Sequence, residues 1–164
     1  MALPNKVLPG FTAALYAQPG ATPTPLTIAQ LSLVASVSPI AVVGNLIPVE
    51  AIPAFGMDDA VASFGVAGSR QSDKIPVQAA PTSLTITAAW NPADTNLLLM
   101  RADAYSGVID RTFVISATEG ANIVYYAFNG RVGQFQIDPA PGAEAKATFT
   151  VHPRGNQFGW SNNA

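Results

Sequence analysis

Hydrophobic and polar residues alternate most cleanly between Thr82 and Trp90, where Leu84, Ile86, Ala88 and Trp90 interleave with Ser83, Thr85, Thr87 and Ala89. A period of two marks a strand with one buried face. Asn91-Pro92 then stops the strand. Asn91 can cap a helix, and Pro92 suits the first helical position, where no backbone donor is needed. Asp94 complements the positive helix end, and Gly107 is a natural C-terminal cap. One flanking helix is therefore predicted over about 92–105. At about 100° per residue, Leu97, Leu98, Ala104 and Tyr105 share a broad apolar face with Arg101 in its midst. Asn96 and Asp103 mark the opposite, polar face, with Leu99 among them. Leu99 is then either a solitary surface leucine or a sign that a neighbouring subunit covers the helix.

From Val7 to Val49 there is no charged residue. A membrane-spanning helix needs about 20 mostly apolar residues in a row, and this run is broken by Pro19, Pro23, Pro25, Gln30, Pro39, Asn45 and Pro48. Its pattern predicts strands over Phe11–Gln18, Ile28–Ser38 and Val42–Ile52, the last with a break at Gly44-Asn45 and the first followed by a Pro/Gly-rich loop. A long extended loop is predicted over about 53–78. It is Gly/Ser-rich and holds Asp58, Asp59, Arg70, Asp73 and Lys74, with a strand-like stretch at Ala60–Val66. Loops of this length are usually functional or disordered. The two readings are a solvated loop and an arm that orders against another subunit.

After the helix the pattern is β throughout. Arg111, Phe113 and Ile115 alternate with Asp110, Thr112 and Ser116, and Glu119-Gly120 signals a hairpin. Ile123–Phe128 is apolar or aromatic on both faces and belongs deep in a sheet or at a contact. Asn129-Gly130 is a hairpin signal, or else a bulge in a strand continuing to Asp138. A continuous strand would turn Val132, Gln134, Gln136 and Asp138 one way and Phe135 and Ile137 the other. Pro139–Gly142 forms a turn. Ala143–Val151 closes the domain, with Glu144, Lys146, Thr148 and Thr150 on its polar face and Phe149 and Val151 inward. The expected organisation is one domain over 1–155 and a polar C-terminal tail over 156–164, ordered only if Phe158 and Trp160 dock.

Charge adds the most informative bulk property. Of 164 residues, 11% are charged, under half the usual share of about 25%, so much of the surface is expected to lie against partners. A net charge of −2 gives no basic footprint for gripping nucleic acid. The absence of cysteine removes disulfide and thiol chemistry. Pro9 and Gly10 interrupt any secretory h-region, and no membrane anchor is expected.

No catalytic set emerges. His152 is the single histidine, no G-x-S-x-G elbow is present, Asp58-Asp59 lacks calcium-loop spacing, and Gly65–Arg70 lacks the lysine of a phosphate loop. The chain is expected to be neither an enzyme nor the holder of a cofactor or metal.

The order of these segments carries a resemblance. TITAAWNPAD with NLLLMRADAYSG, then YYAFNGRVGQF, then EAKATFTVHPRG, spanning roughly Ala51–Gly155, resemble the tail tube (major tail) proteins of lambda-type long-tailed, non-contractile bacteriophages. The extra C-terminal immunoglobulin-like domain of some members is not expected within these residues, and the first third is unusually neutral. The resemblance implies a mainly β subunit, a sandwich or barrel with one flanking helix. It implies homohexameric rings stacked into a hollow tube of the virion tail, assembled in the host cytoplasm, with tail terminator, tape-measure and tail-tip proteins as further partners. It also implies a bulged continuous strand at Phe128–Val132. Double-stranded DNA would pass without specific binding, past a polar, mildly acidic lumen for which Asp110, Gln134, Gln136, Asp138 and Glu144 are candidates. Asp58, Asp59, Arg70, Asp73 and Lys74 are the candidates for contacts between rings, and Leu99, Arg101 and Asp103 for the subunit-interface helix. Other readings remain open: a capsid decoration or tail terminator protein, a type VI secretion tube protein, or a free-standing β-sandwich that binds through Tyr125, Tyr126 and Phe128.

Overall fold

A computed structural model describes residues 12–65, 72–119, 121–139, 141–155 and 159–163. Its strands are β1 (Thr12–Ala17), β2 (Leu46–Ile47), β3 (Met57–Gly65), β4 (Ser72–Pro81), β5 (Leu84–Ala89), β6 (Asp110–Glu119), β7 (Asn122–Asp138), β8 (Lys146–Pro153) and β9 (Gly159–Asn163). Its helices are α1 (Ile28–Leu31), α2 (Val34–Val37) and α3 (Thr95–Ser106), with a 3-10 turn at Val43–Asn45. The main sheet runs β2-β1-β6-β7-β8-β5, and β9 adds to β7; all pairings are antiparallel.

The two ends of that order are joined through residues 46–50. Leu46 and Ile47 pair with Tyr16 and Leu15 of β1. Three residues on, Val49 bridges Ala88, the Glu50 amide donates to Thr87 O (2.9 Å) and the Ala89 amide donates to Pro48 O (3.1 Å). The sheet thus curls back on itself, and the curl encloses the main core. Leu15, Ile47, Leu84, Ile86, Phe113, Ile115, Phe128, Val132, Phe149 and Val151 meet there, closed over by Leu97 and Met100 of α3. Phe113 stacks on Phe128 at 5.6 Å and Phe135 on Phe149 at 5.9 Å between centroids, offset arrangements that add to area burial.

β6 is buried along Arg111–Ala117 on both faces. Phe113 and Ile115 enter the main core, while Val114, with Tyr125 and Ala127 of β7, enters a second cluster on the reverse side, under Leu31 and Val37. Ile28–Ser38 is therefore two four-residue helices and not the expected strand. Thr27 and Gln30 form a capping box that starts α1, and Leu31 and Val37 drop onto the sheet from single turns. Of the strand expected over Val42–Ile52, only Leu46–Ile47 and Val49 pair with another strand.

β7 runs unbroken through Asn129-Gly130, so the strand continues as expected, but no bulge lies at Phe128–Val132, where the resemblance implied one. The bulge lies further on, where pairing with β8 shifts between Gly133 and Gln136 and Gln134 takes φ 52°. That one extra residue changes the strand's phase, so Val132 and Phe135 both reach the main core, against the expected alternation. Gly130 is required by approach, since a Cβ there would lie 2.8 Å from Val151 Cγ1. Asn129 is used sideways: its Nδ2 donates to Leu26 O (2.7 Å) and its Oδ1 accepts from Thr112 Oγ1 (2.7 Å).

Two segments are more ordered than expected. The long excursion at 53–78 contains a two-stranded hairpin, β3–β4, which forms its own sheet, Met57 opposite Pro81 and Gly65 opposite Ser72. The C-terminal residues include β9, which pairs with Ile123–Ala127. Phe158 lies outside the described residues, as does the side chain of Trp160.

Candidate functional site

α3 begins one turn later than expected. Asp94, not Asn91, is its cap, accepting from the amides of Asn96 (2.9 Å) and Leu97 (3.1 Å). Gly107 ends it in the left-handed conformation at φ 65°, as its composition predicted. The helix is rotated relative to the expected face. Leu97, Met100 and Asp103 point inward, and Leu99 and Ala104 pack against the same core. Leu98 and Tyr105 are exposed instead.

The reason is one ion pair. Arg111 leaves β6 on the core face and donates to both carboxylate oxygens of Asp103, at 2.7 and 3.0 Å. It also donates to the carbonyls of Gln18 and Gly20. Asp103, expected on the exposed polar face as a subunit contact, is thus held inside the subunit. Leu99, expected among polar positions, is half-buried against the core. Of the three residues expected at the helix interface, Arg101 alone is exposed, its guanidinium 5.6 Å from the Tyr105 ring centre.

The lumen candidates are divided by their surroundings. Asp110 accepts from Arg131 (2.9 Å) and lies 3.8 Å from Arg154, so its charge is balanced locally. Gln134 and Gln136 are exposed at the bulge, and Asp138 is exposed at the end of β7. Glu144 is exposed in the turn before β8, not on the strand itself. Lys146 bonds Glu50 at 2.6 Å. That bond and the Glu50 charge raise the Lys146 pKa, and the Glu144 and Asp138 carboxylates add to the effect. Asp138 and Glu144 are thus exposed carboxylates for which no ion pair forms among the described residues.

Of the expected ring-to-ring contacts, Arg70 lies outside the described residues. Asp58 and Asp59 sit on β3 opposite Ala80 and Ala79. Asp73 and Lys74 sit on β4 opposite Phe64 and Ser63. Their side chains lie outside the described set. Tyr125, Tyr126 and Phe128, the aromatic set weighed as a binding surface, do not converge: Tyr125 is in the reverse-side cluster, Phe128 is in the main core, and Tyr126 meets Phe55 edge-on at 5.2 Å. His152 is exposed, with its Nδ1 2.9 Å from Ser83 Oγ. Among the described residues no three His, Cys, Asp or Glu gather to hold a metal, and no helix is long and apolar enough to cross a membrane.

Two concavities lie among the described residues. One, of about 240 Å³, lies beneath residues 52–55 where they lead into the hairpin, floored by Ala13, Ile115, Ala117 and Tyr126. The other, of about 230 Å³, lies between α3 and the β7 bulge, lined by Ala104, Tyr105, Gln134 and Phe135.

No protein-family profile and no curated protein matches the chain by sequence. Solved structures match it in fold over nearly its whole length. The sheath/tube terminator of an extracellular contractile injection system superposes with a TM-score of 0.62 at 13% identity, covering 99% of this chain and 100% of that one. The tube terminating cap of the anti-feeding prophage gives 0.59 at 11%, covering 100% and 95%. The SPP1 tail tube gives 0.55 at 11%, covering 90% and 76%. The chain has a tail-tube-like fold.

Proposed function

We propose that this chain is a structural subunit of a bacteriophage tail tube, forming homohexameric rings that stack into a hollow conduit for DNA. The observation that carries the reading is the likeness in fold to tail tube, terminator and cap chains over 90–100% of its length. Two features of the chain support it. A β3–β4 hairpin that forms its own sheet presents strand edges, which single subunits normally cover or blunt and which assemblies pair between copies. The charge content is low, as suits a surface spent largely on contacts.

In this reading the hairpin reaches the next ring, with Asp58, Asp59, Arg70, Asp73 and Lys74 at the contact. Gln134, Gln136, Asp138 and Glu144 face the lumen. Unpaired carboxylates there repel phosphate, and the neutral amides carry no positive charge to replace its counterions, so DNA slides without a binding site. Asp110, matched by Arg131, is a weaker member of that set. The partners are further copies of the chain, a tail terminator, a tape-measure protein and tail-tip proteins, and the location is the tail of a lambda-type virion.

A second reading has its own support. The chain spans the whole of the injection-system terminator but 76% of the SPP1 tail tube chain, so a terminator that forms one ring and does not stack is the alternative. Mass photometry tests the ring common to both: six copies of a 17.0 kDa chain give a species near 102 kDa. A particle that stays at the mass of one chain at every concentration, with and without nuclease-treated phage lysate as a source of initiator, contradicts both readings.

A further inference from the structure

The hollow of about 240 Å³ beneath residues 52–55 lies where small side chains meet at the end of the main core. Along β1, Leu15 and Ala17 enter that core, and Ala13 shares their face. Leu15 lies opposite Ile115 of β6, but Ala13 lies opposite Ala117. The core side of the sheet is therefore left open over an alanine pair. Ile52 and Phe55 roof the opening, and Tyr126 walls it. Its lining carries no charged residue, and Ala13 is exposed at its mouth. The adjoining backbone edge is open too. β6 pairs with all of β1, whereas β2 pairs with Leu15 and Tyr16 alone. Among the described residues, no strand pairs with Thr12–Ala14 on that outer side.

We infer that this hollow is the docking site of the chain's own residues 1–11, with Leu8 as the side chain that fills it. Position is the first argument. The segment joins β1 at Thr12, next to Ala13 at the mouth. Composition is the second. Residues 1–11 include Leu3, Val7, Leu8 and Phe11, and Lys6 is their one charged residue. An apolar segment gains by leaving water for an apolar hollow, and no carboxylate is desolvated. The third argument is the turn chemistry of Pro9-Gly10. Proline and glycine suit the two central positions of a type II turn, the second of which needs positive φ. Such a turn reverses the chain and keeps the Cα atoms of Leu8 and Phe11 within about 7 Å. Leu8 then returns to the level of the first residues of β1. Size agrees: an apolar cavity of roughly 150 Å³ already accepts a benzene-sized group. Residues 52–55 lead into β3 at Met57, so the docked segment pins the root of the hairpin to β1 and β6. The inference concerns one chain and does not depend on the ring reading.

The cysteine-free chain allows a direct test. Val7→Cys is combined with Ala54→Cys at the hollow, or with Ser32→Cys at the exposed end of α1 on the reverse face. Both double variants are checked by thermal melting, oxidised at low concentration with copper phenanthroline, and read by intact and peptide mass. The Ala54 pair is expected to form an intrachain disulfide about tenfold faster than the Ser32 pair, a preference within what burial of one leucine supplies. Adding Leu8→Asp to the Ala54 pair should remove that preference. Equal rates in the two pairs overturn the inference, and so does a rate that Leu8→Asp leaves unchanged. A disulfide between chains in the Ala54 pair overturns it in favour of another copy's segment. The unaltered chain gives a second readout. Trypsin is expected to cut after Lys6 about tenfold more slowly in the folded chain than in a peptide of residues 1–11, by the same burial argument. Equal cutting rates overturn the inference even where a cysteine variant fails to fold.

Discussion

The guanidinium of Arg111 grips both oxygens of the Asp103 carboxylate, at 2.7 and 3.0 Å, with side-chain exposures of 0% and 3%. Eight residues apart in sequence, the two tie α3 to β6, and the further bonds of Arg111 to Gln18 and Gly20 tie both to the chain after β1. Removing one partner leaves a buried charge uncompensated. Asp103→Ala is predicted to destabilise the subunit by about 3–5 kcal/mol in urea unfolding. Replacing both residues together, as Asp103→Leu with Arg111→Met, should recover most of that loss. A single substitution that leaves the midpoint unchanged would show that the pair does not fix the helix.

Gly130 is the second structural pivot. Gly130→Ala drives a Cβ to 2.8 Å from Val151 Cγ1 inside the main core, and overpacking of this kind costs about 1–3 kcal/mol. Val151→Ala in the same chain opens room for it. The double variant should therefore be more stable than the sum of the two single losses predicts, a coupling read from a double-mutant cycle. Simple additivity would mean that β7 and β8 adjust without strain.

Lys146 and Glu50 join β8 to the segment that completes the curl, at 2.6 Å. The hydrogen bond and charge of Glu50 hold the Lys146 pKa above its ordinary value of 10.5. A folded-state pKa above the unfolded one contributes stability that is complete below the unfolded value and lost as pH rises through the folded value. Thermal stability of the parent should fall more steeply above pH 10.5 than that of Lys146→Met, with the gap narrowing in high salt because the pair is exposed. Parallel curves for the two proteins would remove the pair from the account.

The hairpin can be excised without breaking the body. Met57 and Pro81 pair, and the Thr82 amide donates to Gly56 O at 3.0 Å, so the ends of the excursion are adjacent. Replacing residues 57–81 by a short Gly-Ser linker should leave a subunit that melts cooperatively and forms rings but no tubes. Tubes of normal length from this variant would show that stacking is carried elsewhere.

Legibility followed the physics of each segment. Leu84, Ile86 and Ala88 bury on one face and Ser83 and Thr85 do not, so β5 was readable from alternation alone. Gly107 was readable because a left-handed C-cap selects glycine. The orientation of α3 was not: Asp103 reads as polar and outward, and only a partner on another strand, Arg111, turns it inward. The charged pair supplied a signal, an arginine at a core-facing position of β6, but the pairing itself is long-range. α1 and α2 are single turns, too short for a helical period, and Leu31, Leu33 and Val37 among serines imitate a strand. β9 reads as a polar tail, yet it pairs with Ile123–Ala127 of β7, a pairing that no local pattern announces. At Asn129-Gly130 the strongest turn dipeptide of the chain is overridden, since Asn129 spends its amide on Leu26 and Gly130 admits Val151.

Negative-stain electron microscopy of the purified chain over a range of concentrations tests the central claim most directly. Hollow, uniform-diameter tubes, or rings with six-fold symmetry in end view, are expected. Featureless single-chain particles at every concentration, persisting after addition of preformed tail-tip complex, would contradict it.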